Sequence, residues 1–390
     1  MKKLVLLALL TAISSLPFVK NVLNRLQAAQ RDIQTPLLPD TTTKQSHIQV
    51  ALLLDTSNSM DGLIEQAKSQ LWKMVNELAT AEKGGAAPQI EIALYQYGNS
   101  HLQANGGYIQ RIVPLTADLD LVSEKLFELG TAGGDEYCGW VIQDATTDLE
   151  WSEQSDDLKV IIIAGNEPFT QGPVAVRQSC ERAIQKGIMV NTIHCGDYQK
   201  GINEGWREGA ELTDGQYLNI DQDDQVVHIP TPFDDEIIEL NQQLNQTYIG
   251  YGAEGEAKAE RQMVQDANAM SYGAANVRTR ASVKANKVYN NATWDLVDAT
   301  TENMEVLEEI EDEALPEEMR EMNTAERAAF VENKRSERKD IQSQILELEK
   351  KAQAFEAAER AKNTDTQTLD NVLIGTVKQQ AQAKSFQFKE

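Results

Sequence analysis

Between His47 and Ile220, short apolar runs alternate with stretches whose apolar residues recur at helical spacing, the sequence form of an α/β domain. Strands are predicted at 48–54, 90–97, 108–114, 158–164, 188–194 and 216–220. Leu158-Lys-Val-Ile-Ile-Ile-Ala164 and Val50-Ala-Leu-Leu-Leu54 are close to continuously apolar, as strands covered by helices on both faces are, so they belong in the middle of a mostly parallel sheet. Amphipathic helices are predicted between the strands at 62–82, 119–129, 138–149, 174–185 and 201–212. Gly84-Gly85-Ala-Ala-Pro88 and Gly133-Gly134 fall at the joins, where turns need them. The fold class this implies is a doubly wound sheet with helices on both sides.

Beyond Ile220 almost nothing reads as strand. Asp221-Gln-Asp-Asp224 and Pro230-Thr-Pro232 make a break, and 237–248 reads as a helix docking back on the domain. The stretch 254–288 is rich in Ala, Gln, Glu and Lys, mostly good helix formers. Residues 302–321 carry ten acidic side chains and one Arg, which reads as a solvated hinge broken by Pro316. A long charged helix is expected from Thr324, as N-cap, to about 362. Its apolar residues Phe330, Ile341, Ile345, Leu346 and Leu348 fall only loosely on a seam, which leaves a coiled coil or hairpin and a solvated helix both open. The last segment, 369–388, is either a further short helix or disordered. The domain plan is therefore 1–28 as an export segment, 47–250 as the α/β domain, and 251–390 as a helical extension.

The export segment rests on Met1-Lys2-Lys3 followed by an uncharged run from Leu4 to Val19. That is a basic then apolar layout shorter than the roughly 20 residues of a membrane span. It implies a signal peptide or an N-terminal anchor, and hence a periplasmic or cell-envelope location, with contact to the membrane only through this segment if it stays uncleaved. No later segment is apolar enough to span a bilayer.

Composition narrows the function. With 61 acidic against 36 basic side chains, the formal charge is −25, which argues against nucleic acid because phosphate contacts need clustered Lys and Arg. Three cysteines, Cys138, Cys180 and Cys195, are too few for a disulfide framework; a Cys180–Cys195 pair and ordinary packing both remain open. With four His and no Cys-x-x-Cys or His-x-x-Glu spacing, no zinc enzyme is indicated. No nucleophile elbow, phosphate loop or dinucleotide fingerprint is present either, so neither an enzyme nor a small-molecule substrate is expected.

The motif that carries chemistry is Asp55-Thr-Ser57-Asn-Ser59, directly after an apolar strand and directly before a helix. A loop at the carboxyl edge of a parallel sheet is where open α/β folds bind ligands. One carboxylate and two hydroxyls, each two residues apart, can turn toward one point there, and such hard oxygens suit Mg2+ or Mn2+ with positions left for an incoming oxygen. The structural alternative is that Asp55 caps the helix while the hydroxyls satisfy loop amides.

At this motif the chain resembles the von Willebrand factor A family, whose metal-ion-dependent adhesion site is Asp-x-Ser-x-Ser completed by a Thr from a second loop and an Asp from a third. The resemblance spans roughly 47–220, and the flanking segments look like an exported bacterial subgroup with helical C-terminal extensions. It implies that Thr131 is the second-loop ligand. In the third loop, Ala164-Gly165-Asn166-Glu167 departs from the pattern, with Gly165 where the Asp should stand. Three repairs are open: Glu167 directly or through water, Asn166 through its carbonyl, or Asp135 and Glu136 from the second loop. The function implied is a protein-binding adhesion or assembly module, in which a partner's acidic side chain completes the metal site and the tail serves as a spacer or self-association arm. The alternative is a non-catalytic scaffold with a vestigial metal loop that binds through its C-terminal helices.

Overall fold

In strand β1, His47–Asp55, every side chain after the first is buried. There follow β2 (Ala81–Glu82), β3 (Gln89–Tyr97), β4 (Ile109–Thr116), β5 (Leu158–Gly165), β6 (Met189–Cys195) and β7 (Tyr217–Ile220). Six of them form one sheet in the order β4-β3-β1-β5-β6-β7. β1 pairs parallel with β3 and β5, the parallel run continues through β6 and β7, and β4 closes one edge antiparallel to β3. The two runs read as central strands, β1 and β5, are neighbours in the middle, and β5 is buried along its whole length. This computed structural model describes residues 45–220, 229–361 and 369–388. The segment 1–28 lies outside the described residues.

Helices cover both faces because strand side chains alternate. Ile48, Val50, Leu52 and Leu54 face a core that includes Leu63, Trp72 and Val75 of α1 (Asp61–Ala79) and Val122 and Leu126 of α2 (Leu119–Phe127). Ala51 and Leu53 face the opposite core, with Cys138 and Val141 of α3 (Cys138–Asp148), Cys180 of α4 (Val176–Gln185) and Trp206. Two short helices, α5 (Tyr198–Asn203) and α6 (Trp206–Glu211), join β6 to β7. All three cysteines are free and buried, so packing is their role in this structure.

The extension is helical as expected: α7 (Asp234–Asn245), α8 (Gly255–Ser271), α9 (Ala274–Lys284), α10 (Leu296–Glu302), α11 (Val306–Glu309), α12 (Glu317–Arg320), α13 (Thr324–Arg360) and α14 (Leu369–Ala383). Three details differ from the sequence reading. The stretch 254–288 is two helices, broken at Gly273, whose φ of +102° a helix cannot continue. The N-cap of α13 is Asn323 rather than Thr324, and it exchanges bonds with Glu326 in a full capping box. The acid run is folded, with Leu307, Leu315 and Met319 buried against Ile249 and Val331.

From residue 46 onward the described residues form one compact unit. Ile341, Ile345 and Leu348 of α13 pack on Ile237, Leu240 and Leu244 of α7 and Ala281 of α9, so the loose seam is used within the chain. Val377, Ala381 and Phe386 join the core of the sheet, and β8 (Gln387–Phe388) pairs antiparallel with β2. Buried ion pairs fasten the same contacts: Arg280 of α9 bonds Asp120 of α2 and Asp266 of α8 at 2.6 Å each. Among the described residues no helix is long and apolar enough to cross a membrane.

Candidate functional site

Asp55 ends β1 at the carboxyl edge of the sheet, and a single 3-10 turn, Asn58–Met60, leads from there into α1. The loop is shaped by two opposed sets of bonds. Thr56 turns away, its amide and hydroxyl both donating to the Tyr97 carbonyl at 2.9 and 3.2 Å. Asp55 Oδ1 accepts the Ser57 amide at 2.7 Å, which folds the loop so that the Ser57 and Ser59 hydroxyls lie 3.2 Å apart. Alternation within the motif thus sends the Thr56 hydroxyl into the sheet and the Ser57 hydroxyl to the carboxylate side, where it meets Ser59.

The second loop is stitched to the first by Ala132 N donating to Thr56 O at 3.0 Å, and to the loop after β3 by Asn99 Nδ2 donating to Gly130 O at 3.1 Å. Thr131 sits beside the motif, but its hydroxyl donates to the Asp61 carboxylate in the first turn of α1. From the third loop, Asn166 Nδ2 donates to Ser59 Oγ at 2.9 Å, and its Oδ1 is buried without a donor. Glu167 is exposed, and its charge acts on Asp55 and Glu136 from a distance.

Adjacent acids in the second loop part ways. Asp135 is exposed and accepts from the Tyr137 hydroxyl at 3.1 Å. Glu136 turns inward, 3% exposed beside a wholly buried Asp55, and the two carboxyls are within hydrogen-bond reach of each other. Gly98 makes the room: a Cβ there would stand 2.8 Å from both Asp55 Oδ1 and Glu136 Cγ. Glu136 is held in place by its own amide, which donates to Gln171 Oε1 at 2.9 Å.

Two carboxyls so close and so dry resist ionising together. Burial raises Asp55 above the ordinary carboxylate range, and burial, then the hydrogen bond to Asp55 and its charge, raises Glu136 further. Asp55 Oδ2 and Glu136 Oε2 are both buried with no donor.

Gly165 ends β5 where the family pattern would have Asp, and its surroundings are filled. A Cβ at 165 would lie 2.5 Å from Tyr97 Oη, 3.1 Å from Trp206 Cη2 and 3.3 Å from Asp55 Cβ. Tyr97 Oη is fixed by donating to Ala164 O at 2.8 Å. Sequence reasoning missed Tyr97 and Gly98, because the register that sets Tyr97 opposite Asp55 joins strands far apart in the chain.

The oxygen set tests well against a small hard cation. Two buried carboxylate oxygens without donors, with the Ser57 hydroxyl beside them and Ser59 next to Ser57, are the donor types Mg2+ and Mn2+ take. Among the described residues no group of three or more His, Cys, Asp or Glu is arranged to hold a metal, so any cation here depends on hydroxyls.

Residues 49–214 match the model of the von Willebrand factor type A domain family. Similar solved structures include the conserved hypothetical protein BatB from Bacteroides thetaiotaomicron, at 18% identity over 45% of this chain and 90% of that one, with a TM-score of 0.34. The SpRpn10 VWA domain is 15% identical over 46% of this chain and 90% of that one, with a TM-score of 0.34. Proximal thread matrix protein 1 from the mussel byssus, with a zinc-occupied MIDAS motif, is 12% identical over 46% and 43%, with a TM-score of 0.33. No curated protein matches. On the sheet order, the Asp55 loop and the family match together, residues 49–214 of this chain are a von Willebrand factor type A domain.

Proposed function

We propose that this protein is a non-catalytic, metal-dependent protein-binding module, exported to the periplasm or cell envelope, that takes an acidic side chain from a partner protein at the Asp55 loop. The supporting observation is the gathering of Asp55, Ser57 and Ser59 at one edge of the sheet, with a buried carboxylate oxygen lacking any donor. Domains of this type are commonly protein-interaction modules. In this reading Asp55, Ser57 and Ser59 hold Mg2+ or Mn2+, and Thr131 joins after its hydroxyl leaves Asp61. A bound divalent cation supplies an electrophilic position that accepts an oxygen from a visiting carboxylate. Ser59 and Asn58 are exposed, so the visitor approaches from that rim.

The test is thermal melting of the full chain with MgCl2, MnCl2 or chelator. A cation that prefers the folded state raises Tm by mass action, by about 2.7 kcal/mol of stability at a hundredfold excess over Kd. Asp55→Ala is expected to abolish that shift and the metal-dependent capture of a partner.

A second reading has its own observation. Thr131 is bonded to Asp61, and Ser59 accepts from Asn166, as they would in a loop that is purely structural. A scaffold of this kind would bind through its C-terminal helices and give no metal-dependent shift.

A further inference from the structure

We propose that Glu136 supplies the second carboxylate of this site, taking over from the third-loop residue that Gly165 lacks, so that Asp55 and Glu136 together hold a divalent cation. This inference rests on the metal-binding reading above and sharpens it.

Three independent features converge on Glu136. Gly165 has no space for a carboxylate, because Tyr97 Oη and Trp206 stand where its side chain would begin. The second loop is drawn unusually near β3 and Asp55: a Cβ at Gly134 would lie 2.7 Å from Gly98 O and 2.9 Å from Ser100 N. With Gly98 opposite, these two glycines let the loop approach until the Glu136 stem occupies the gap beside Asp55. Finally, Glu136 Oε2 and Asp55 Oδ2 are both buried and both without a donor, an arrangement that is costly unless a shared proton or a cation that displaces it lies between them.

Charge arithmetic separates this site from one with Asp55 alone. A single carboxylate leaves a divalent cation half neutralised and weakly held, whereas two match it. The second loop therefore restores what the third loop gave up, and the free protein should retain metal before any partner arrives. Asp135, one residue away, has the same charge but is exposed and turned to Tyr137, so it serves as the control for simple electrostatic attraction.

The experiment is calorimetric titration of MnCl2 into the full-length protein, repeated with Glu136→Gln, Asp55→Asn and Asp135→Asn, with each variant's melting curve recorded without metal. The expected result is one Mn2+ bound by wild type and by Asp135→Asn with similar affinity. Glu136→Gln should bind at least as weakly as the roughly 10–100-fold loss seen when a partner outside the ligand shell is removed. Its metal-free Tm should not fall, because an amide can donate to Asp55 while removing one of two buried acids that resist ionising side by side. If wild type binds and Glu136→Gln binds equally well while Asp55→Asn does not, the assignment of Glu136 is overturned and the metal reading survives. If wild type binds neither Mn2+ nor Mg2+, the metal reading fails and this inference goes with it. Should Glu136→Gln not fold, Glu136→Asp decides: it keeps the charge but shortens the reach, so weakened Mn2+ binding supports the proposal and unchanged binding overturns it.

Discussion

Asn191 and Gln380 exchange two amide hydrogen bonds, at 2.9 and 2.8 Å, across 189 residues of sequence. The first lies in the middle of β6 and the second on α14, and both side chains are buried. Two amides that satisfy each other in a dry interface fix its register, because sliding by one residue would strip the partners from both amide nitrogens and from Gln380 Oε1, leaving Asn191 Oδ1 only the Gln216 amide. The C-terminal helix is thus an integral wall of the sheet's core rather than an appended tail.

Removing residues 362–390 is therefore expected to destabilise the von Willebrand factor A domain itself. Val377 and Phe386 are nearly fully buried in its core, and such side chains are each worth about 1.5–3 kcal/mol. Loss of the two Asn191–Gln380 bonds adds about 0.5–1.5 kcal/mol each. A loss of this size, on the order of 5 kcal/mol, takes a large part of ordinary domain stability. Urea denaturation checks it, and a truncated chain with an unchanged midpoint would contradict the docking of α14.

Arg280 makes a second prediction about the same union. It is wholly buried, bonded to Asp120 and Asp266, and its guanidinium lies 4.4 Å from the Trp72 ring centroid. Arg280→Met leaves Asp120 in a dry site with only the Tyr289 hydroxyl, and breaking a buried pair this way costs roughly 3–5 kcal/mol. Adding Asp120→Asn should recover part of that loss, since the stranded charge is removed. A double-mutant cycle in urea measures the coupling, and additive effects would show that the pair does not act as a unit.

What the sequence disclosed follows from where its physics is local. β1 and β5 were legible because a strand sealed on both faces has to be apolar throughout, and Asp55-x-Ser57-x-Ser59 because its geometry is set within five residues. Glu136 could not be told from Asp135 in the sequence. Which of two adjacent acids turns inward is decided by the approach of Gly134 to Gly98, a contact between loops far apart in the chain. α14 was ambiguous for a related reason: a helix that buries Gln380 beside Val377 and Ala381 has no clean apolar stripe until its partner Asn191 is known.

Stability should also carry a pH signature from Glu349 on α13. Burial raises its carboxyl from 4.5 to about 7, against the opposing pull of Arg278, whose Nε lies 3.5 Å away. Asp234 and Glu356 face the same guanidinium, and the Gln353 amide donates to Glu349 at 3.0 Å. The folded state keeps a proton that the unfolded chain releases. The resulting stabilisation is complete below pH 4.5 and is lost as pH rises through about 7. Glu349→Gln should flatten that part of the profile, by up to about 3 kcal/mol across it. Urea midpoints at a series of pH values measure the slope, and identical slopes in variant and wild type would refute the assignment.

Restoring the family's third-loop carboxylate should fail for a steric reason. In Gly165→Asp the new Cβ would lie 2.5 Å from Tyr97 Oη, which cannot retreat without giving up its bond to Ala164 O. Crowding of this kind costs about 1–3 kcal/mol, and a third carboxyl beside Asp55 and Glu136 adds repulsion in a buried site. Tyr97→Phe removes the nearest clashing atom, so the double variant Tyr97→Phe/Gly165→Asp should lose less stability than Gly165→Asp alone. Trp206 Cη2, 3.1 Å from the same point, keeps the relief incomplete. The expected order of urea midpoints is wild type, then the double variant, then Gly165→Asp. If Gly165→Asp were as stable as wild type, the third loop would have room for its own carboxylate, and the transfer of that role to Glu136 would lose its physical cause.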